Sequence, residues 1–277
     1  LGANGAGKTT LMRTICGLQT AHRGDVRLLG ETLTPRANGL LRHIGFTPDT
    51  PPLYDGLTVR QFLRFIGRQY ELTADDTDER IDLWLEKLWL SEKADAKIKG
   101  LSRGMRQRIG IARTLLPNPA LVVLDEPAAG LDPSGRVQFR NLLADLRRQG
   151  KALIVSSHVL SDLAEQCTHI GLMNSGRLER FEPIADFTGA HRPDRCRYRI
   201  RLAKPVSGIE TTLRDLPDVS DVSLESDGLT LEAASDPEKA SLLLALLIRM
   251  NLPVAAFTPV AVNLEEAYLR ASDGRVR

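Results

Sequence analysis

The stretch Gly2-Ala3-Asn4-Gly5-Ala6-Gly7-Lys8-Thr9 meets every fixed position of the pattern G-x-x-x-x-G-K-[ST]. This pattern demands a tight turn between a buried strand and a helix. Glycines let the backbone take unusual dihedrals and approach a ligand closely. Successive N–H groups then form an anion nest, and the following helix, expected over about residues 8–18, adds its positive end. Lys8 is suited to the outer phosphates of a nucleotide, and the Thr9 hydroxyl to Mg²⁺. Gly2, Asn4, Gly5, Ala6, Gly7, Lys8, Thr9 and Thr10 are therefore the expected phosphate contacts. The bland alternative is a glycine-rich turn that merely caps a helix.

Further along, Ala120–Leu124 is an apolar, partly β-branched run ending in Asp125 and Glu126. Such a run reads as a buried parallel strand, and ligands gather at the carboxyl ends of such strands. Neighbouring strand residues point to opposite faces, so the two carboxylates divide roles. Asp125 is expected to hold Mg²⁺, through water, and Glu126 to orient or deprotonate an attacking water. Taken alone, the pair also fits an acidic turn at a strand end. Before this strand lies a helix whose start is marked by Ser102 as N-cap, with Gly104 leaving backbone N–H groups open to an anion. By itself it is an arginine-bearing amphipathic helix.

These segments, in this order, resemble the ATP-binding subunit of an ABC transporter over about residues 1–190. Gly2–Thr9 resembles Walker A, Leu101–Gln107 the signature, and Ala120–Asp125 Walker B, with Glu126 as catalytic glutamate. Gly130-Leu131-Asp132 resembles the D-loop that crosses to a second subunit. His158 resembles the histidine that senses the γ-phosphate; it follows a strand, Ala152–Val155, expected beside the acidic one. The resemblance implies ATP and Mg²⁺ as ligands, with Ser102, Gly104, Gln107 and Asp132 added to the nucleotide contacts. Two positions depart from the family pattern. Asp49 stands where glutamine is usual after Ile44–Pro48, which puts its assignment to the metal in question, because an ionised carboxylate donates no hydrogen bond. Arg103 stands where glycine is frequent.

The resemblance further implies dimers, with a second copy or a homologous subunit, that close over ATP and open after hydrolysis. They would drive export through a separate integral membrane permease subunit, at the cytoplasmic face of the plasma membrane. Only Leu1 precedes the loop and no initiating methionine is present, so the expectation is a truncated N-terminus. The strand supporting the loop and an aromatic residue that stacks on adenine would lie upstream. Cargo is not encoded in these motifs.

The fold expected is α/β: a P-loop NTPase with a mostly parallel sheet, spanning residues 1–190, with a helical subdomain at about 55–117. In that subdomain Thr58 and Gln61 form a capping box, and Leu57 and Phe62 a hydrophobic staple. Ile81, Trp84, Leu85 and Leu88 recur at helical spacing and read as core. Apolar surface near Tyr54–Phe65 is the candidate grip on a partner's cytoplasmic helix. A linker around Phe187–Arg195 leads to a small α+β accessory domain over 195–277, in β-α-β-β-α-β, ferredoxin-like order. Its first strand alternates Arg197, Arg199 and Arg201 with Tyr198, Ile200 and Leu202. Those arginines read as a solvated face, or as one meeting anionic lipid or the second subunit. A short helix is expected at Ile209–Leu216, a hairpin turn at Asp227-Gly228, a helix from Asp236-Pro237 to about Met250, a strand at Val254–Phe257 and a closing helix at Leu264–Leu269.

With 277 residues and 42% hydrophobic composition, the chain can bury one sizeable core or two smaller ones. A net charge of +2 does not indicate a strongly basic nucleic-acid binder, so no nucleic-acid partner is expected. Cys16, Cys167 and Cys196 are too few and too scattered for a disulfide framework. A nucleotide kinase or GTPase switch lacks support, because this chain shows no Asn-Lys-x-Asp base reader and the signature helix would have no purpose there. A DNA-repair or translation ABC protein often carries a second cassette or a coiled-coil insertion, and neither is seen. A catalytically weak regulatory ATPase remains the alternative, because of Asp49 and the short start.

Overall fold

The computed structural model describes residues 1–34, 38–157, 167–187, 195–204, 206, 208–209, 213, 216, 218–225 and 228–260. The chain divides into two compact units, Leu1–Cys167 with Gly171–Phe181, and Thr168–Ile170 with Glu182–Arg277.

The first unit begins with the glycine loop and α1 (Lys8–Ile15). The helix stops short of the expected Leu18 because Gly17 turns to φ 71°. A small antiparallel pair, β1 (Arg27–Leu28) and β2 (Glu31–Thr32), precedes α2 (Asn38–Leu41) and β3 (Ile44–Thr47). Then come α3 (Val59–Gln69), α4 (Ala74–Lys87), α5 (Arg103–Leu115), β4 (Leu121–Leu124), α6 (Pro133–Arg148) and β5 (Ala152–Val155). The central sheet runs β3-β4-β5, all parallel, with Leu121 between Ile44 and Ala152. All four β4 residues are buried, as a continuous apolar run predicts for a strand covered on both faces. The strand expected beside it, Ala152–Val155, is β5.

Close packing of α5 against β3 depends on Gly45. A Cβ there would sit 2.7 Å from Thr114 Cγ2 and 2.8 Å from the Thr114 carbonyl oxygen. The same contact buries Thr47 and Thr114, whose hydroxyls lie 2.6 Å apart, while Thr114 also donates to the Phe46 carbonyl at 3.1 Å. The pairing satisfies polar atoms that would otherwise destabilise the core.

In the helical region the capping box is formed: Gln61 N–H donates to Thr58 Oγ1 at 3.2 Å, and Thr58 N–H donates to Gln61 Oε1 at 3.0 Å. Ile81, Trp84, Leu85 and Leu88 are buried in one cluster with Val59, Phe62 and Leu63, with Leu57 packed against it. They are core, as their spacing predicts. Two strands, β6 (His169–Asn174) and β7 (Arg177–Pro183), pair through a two-residue turn. Ser175 and Gly176 both have positive φ there, which suits a tight hairpin. A four-residue helix, α7 (Ile184–Phe187), follows.

The second unit contains β8 (Arg195–Leu202), β9 (Ser220–Glu225), β10 (Gly228–Ala234), α8 (Pro237–Arg249) and β11 (Val254–Val260). Its antiparallel sheet has the order β11-β8-β10-β9, so the strands counted from β8 lie as 4-1-3-2. Tyr198 and Ile200 are buried while Arg199 and Arg201 are exposed, the alternation of a half-covered strand. Arg197 meets Asp221 at 3.1 Å and Arg199 meets Glu225 at 3.2 Å. Carboxylates of this unit thus supply counter-charge, which favours the solvated face over lipid contact. Asp236 caps α8 by accepting from Glu238 and Lys239 N–H, with Pro237 in the first turn, as expected. The linker from Thr188 to Asp194, most of the expected 209–216 helix, Asp227 of the hairpin turn and the expected Leu264–Leu269 helix lie outside the described residues.

Candidate functional site

The loop from Gly2 to Gly7 is anchored to β6 and its turn by backbone hydrogen bonds. Leu1 N–H donates to the Gly171 carbonyl at 2.6 Å, and Met173 N–H returns to the Leu1 carbonyl at 2.7 Å, a parallel-strand pattern. Gly176 N–H donates to Ala6 at 3.0 Å. A Cβ on Gly2 would lie 2.4 Å from the Met173 carbonyl oxygen, so only glycine fits where the loop crosses β6. Gly5 and Gly7 adopt φ of 82° and 99°, left-handed conformations open to glycine at little strain. Ala6 is buried, while Asn4, Gly5 and Thr10 are exposed.

Gly7 is the N-cap of α1, with no capping side chain and no acid in the first turn. The leading N–H groups of this helix therefore lack a side-chain acceptor, and its positive end is not neutralised. Lys8 Nζ donates to the carbonyls of Gly2 at 2.5 Å and Ala3 at 3.1 Å, so its ammonium arches over the loop.

The acidic strand end meets this loop. Thr9 Oγ1 donates to Asp125 Oδ2 at 2.6 Å, and Ser156 Oγ donates to Asp125 Oδ1 at 2.6 Å. Asp125 is buried, and both its oxygens accept hydrogen bonds. Thr9, on the loop that would hold phosphates, and Asp125, at the end of β4, fit a magnesium ion: both offer oxygen atoms, at touching distance. Among the described residues no cluster of three or more His, Cys, Asp or Glu is set to hold a metal.

Glu126 has φ 48°, a left-handed conformation uncommon for a non-glycine residue. The chain turns sharply here, separating its carboxylate from the path of the strand. The turn is fixed by Glu126 N–H donating to Ser156 Oγ at 2.9 Å and by Ala129 N–H donating to the Glu126 carbonyl at 3.0 Å. Ser156 thus links both acidic residues. The motif reading did not single it out; its position directly after a strand beside β4 was the available signal.

Ser102 caps α5, accepting from Met105 N–H at 3.3 Å. Gly104 lies next to the Gly130 carbonyl, which a Cβ would approach to 3.2 Å. Asp132 is the N-cap of α6, accepting from Gly135 N–H at 3.1 Å, with Arg108 at 3.6 Å. One of its oxygens therefore caps its own helix start, while the side chain stays largely exposed. Gln107 is 3% exposed and its amide nitrogen has no hydrogen-bond partner among the described residues. The structure thus places Gln107 under the signature surface rather than on it. Asp49 does not join Thr9 and Asp125; its carboxylate faces the Arg103 guanidinium at 4.0 Å. The two departures from the family pattern therefore meet each other. His158 lies outside the described residues.

A glycine loop on a parallel α/β sheet, with hydroxyl and carboxylate joined at its edge, defines a P-loop ATPase. The family profile described as ABC transporter matches residues 1–129. ABC transporter ATP-binding protein YxlF of Bacillus subtilis is 32% identical over 270 residues, covering 98% of this chain and 88% of that protein. Nod factor export ATP-binding protein I of Cupriavidus metallidurans is 36% identical over 177 residues, 64% of this chain and 58% of that one. The dimeric post-hydrolysis structure of the ATP-binding cassette MJ0796, bound to ADP and Pi, aligns with a TM-score of 0.61 at 25% identity, covering 66% of this chain and 83% of that one. The chain belongs to the family of ABC transporter ATP-binding proteins.

Proposed function

We propose that this subunit hydrolyses magnesium-bound ATP between two cassettes and so drives export through a separate integral membrane subunit. The observation that carries the reading is the 2.6 Å bond from Thr9 to Asp125, which joins the phosphate loop to the acidic strand end. In this reading Gly2, Asn4, Gly5, Ala6, Gly7 and Thr10 cradle the phosphates through backbone N–H groups. Lys8 exchanges its loop carbonyls for phosphate oxygens, a stronger, charge-assisted partner. Thr9 and Asp125 hold the metal, and bound Mg²⁺ supplies charge that offsets the negative phosphates. Glu126 accepts a proton from the attacking water. Ser102 and Gly104 of the second cassette close over the γ-phosphate, and Asp132 and His158 contribute at the same interface.

Support for export comes from similarity to Nod factor export ATP-binding proteins. Support for dimers comes from the likeness to a dimeric cassette. Among the described residues no helix is long and apolar enough to cross a membrane, so the channel belongs to another chain in this reading. Tyr54, 54% exposed, and Phe65, 38% exposed, stack edge-on at 5.6 Å and offer an aromatic surface for that partner. The subunit would then sit peripherally on the cytoplasmic face. Residues 1–190 form the nucleotide-binding domain and 195–277 a ferredoxin-like accessory domain in this proposal; the 4-1-3-2 strand order supports the latter.

Asp49, which stands where the family usually has glutamine, motivates a second reading, a regulatory ATPase of low turnover. Steady-state ATPase assays with Glu126→Gln separate the two. The transport reading expects turnover to fall about 10²–10⁴-fold, with ATP-dependent dimers accumulating on a sizing column. Unchanged turnover would reject Glu126 as the base, and a wild type with negligible turnover would favour the regulator.

A further inference from the structure

Helix α8 is apolar on two sides. Leu243 and Leu247 are buried in the core of the accessory sheet. On another side, Leu242 is 69% exposed and Leu246 37%. Leu242, Ala245 and Leu246 share a helical stripe with Glu238 at one end and Arg249 at the other, and Glu238, Ala245 and Arg249 are exposed too. A helix of this length already satisfies its own unit with one face, so a second leucine face is a contact surface.

The charges specify the occupant. Glu238 and Arg249 have no ion-pair partner among the described residues. They are eleven positions apart, about 16 Å along the helix, too far to reach each other. In an antiparallel pair of identical helices, centred between residues 243 and 244, each Glu238 lies opposite an Arg249 of the other copy. The same symmetry sets Leu242 against Ala245 and Leu246, and the small Ala245 lets the axes approach closely. A surface complementary to itself under a twofold axis is an isologous interface.

We propose that α8 pairs with α8 of a second copy, giving this chain a dimer contact in the accessory unit that needs no nucleotide. The stripe is about 20 Å long and holds few apolar side chains, well short of the roughly 800 Å² per partner of a stable interface. The contact is therefore weak alone. It gains weight when a second contact between the same two chains raises its effective concentration.

The test is sedimentation velocity of the full chain without nucleotide and with EDTA, up to about 1 mM, the range where weak contacts register. A monomer–dimer equilibrium is expected. Leu242→Glu should weaken it at least about tenfold, because a charge would enter a desolvated contact. Glu238→Arg and Arg249→Glu should each weaken it, and the double reversal should restore it. Melting temperatures by circular dichroism should stay unchanged. A wild type monomeric throughout overturns the proposal, as does a Leu242→Glu chain that dimerises normally or a double reversal that fails to restore dimers. A monomer whose melting temperature falls with Leu242→Glu overturns it as well, and assigns the stripe to a segment of the same chain. Because nucleotide is absent, none of these outcomes bears on ATP-driven closure, which Glu126→Gln tests separately.

Discussion

Thr9 and Asp125 lie 116 positions apart in the chain and 2.6 Å apart in space. One belongs to the first turn of α1, the other to the end of β4. Ser156, from the end of β5, holds the opposite carboxylate oxygen. One helix start and the ends of two parallel strands therefore converge on one buried carboxylate, where the fold class expects its ligand.

Asp125→Asn keeps the size of the side chain and removes its charge. Hydrogen bonds to charged groups contribute about 1.5–3 kcal/mol, so magnesium-dependent ATP affinity should weaken about 10- to 100-fold. Calorimetric titration of Mg-ATP checks this. Equal affinity in wild type and variant would remove Asp125 from the metal site.

Thr114→Val deletes the hydroxyl shared with Thr47 and the Phe46 carbonyl in the buried seam between α5 and β3. Urea unfolding should show a loss of about 1–3 kcal/mol. With Thr47→Val added, the combined loss should fall short of the sum by at least about 0.5 kcal/mol, as for residues sharing one network. Strict additivity would mean that the two hydroxyls are not coupled.

Gly67→Ala should destabilise the helical region. The new Cβ would lie 2.5 Å from Thr77 Cγ2 and 2.6 Å from its hydroxyl, which is tied to the Thr73 carbonyl at 2.6 Å. Overpacking of this kind typically removes about 1–3 kcal/mol. Adding Thr77→Ala should recover part of the loss. Failure to recover any would place the strain elsewhere.

Burial pushes the Cys16 thiol up to about 12 from its ordinary value of 9.0. Below pH 9 the thiol is protonated in both folded and unfolded chains, and its contribution to stability is fully present. As pH rises from 9 towards 12, the unfolded chain loses this proton first, so that contribution declines. Urea unfolding at pH 8 and pH 10.5, compared with Cys16→Ala, should show the wild type losing more stability than the variant. Parallel losses would contradict a buried neutral thiol.

Much of the cassette was legible in the chain. The glycine loop, the buried strand with two acids at its end, the Thr58–Gln61 box and the Ile81–Leu88 core stripe are local patterns whose chemistry depends on neighbours a few residues away. The accessory unit was readable for the same reason: alternating Tyr198 and Ile200, and Asp236-Pro237 at a helix start, follow strand and helix periods directly. The β6–β7 hairpin escaped notice because His169–Asn174 does not alternate cleanly and its turn, Ser175-Gly176, is not among the strongest dipeptide signals.

The sequence by itself determined that a phosphate loop, a signature-like helix and an acidic strand follow one another, because backbone conformation and hydrogen-bonding capacity are encoded residue by residue. Tertiary structure alone decided that Ser156 links Asp125 to Glu126, that Asp49 faces Arg103, and that Gln107 lies buried. Those relations arise where parallel strands and their helices bring distant residues within bonding distance, and no local period or spacing carries that information.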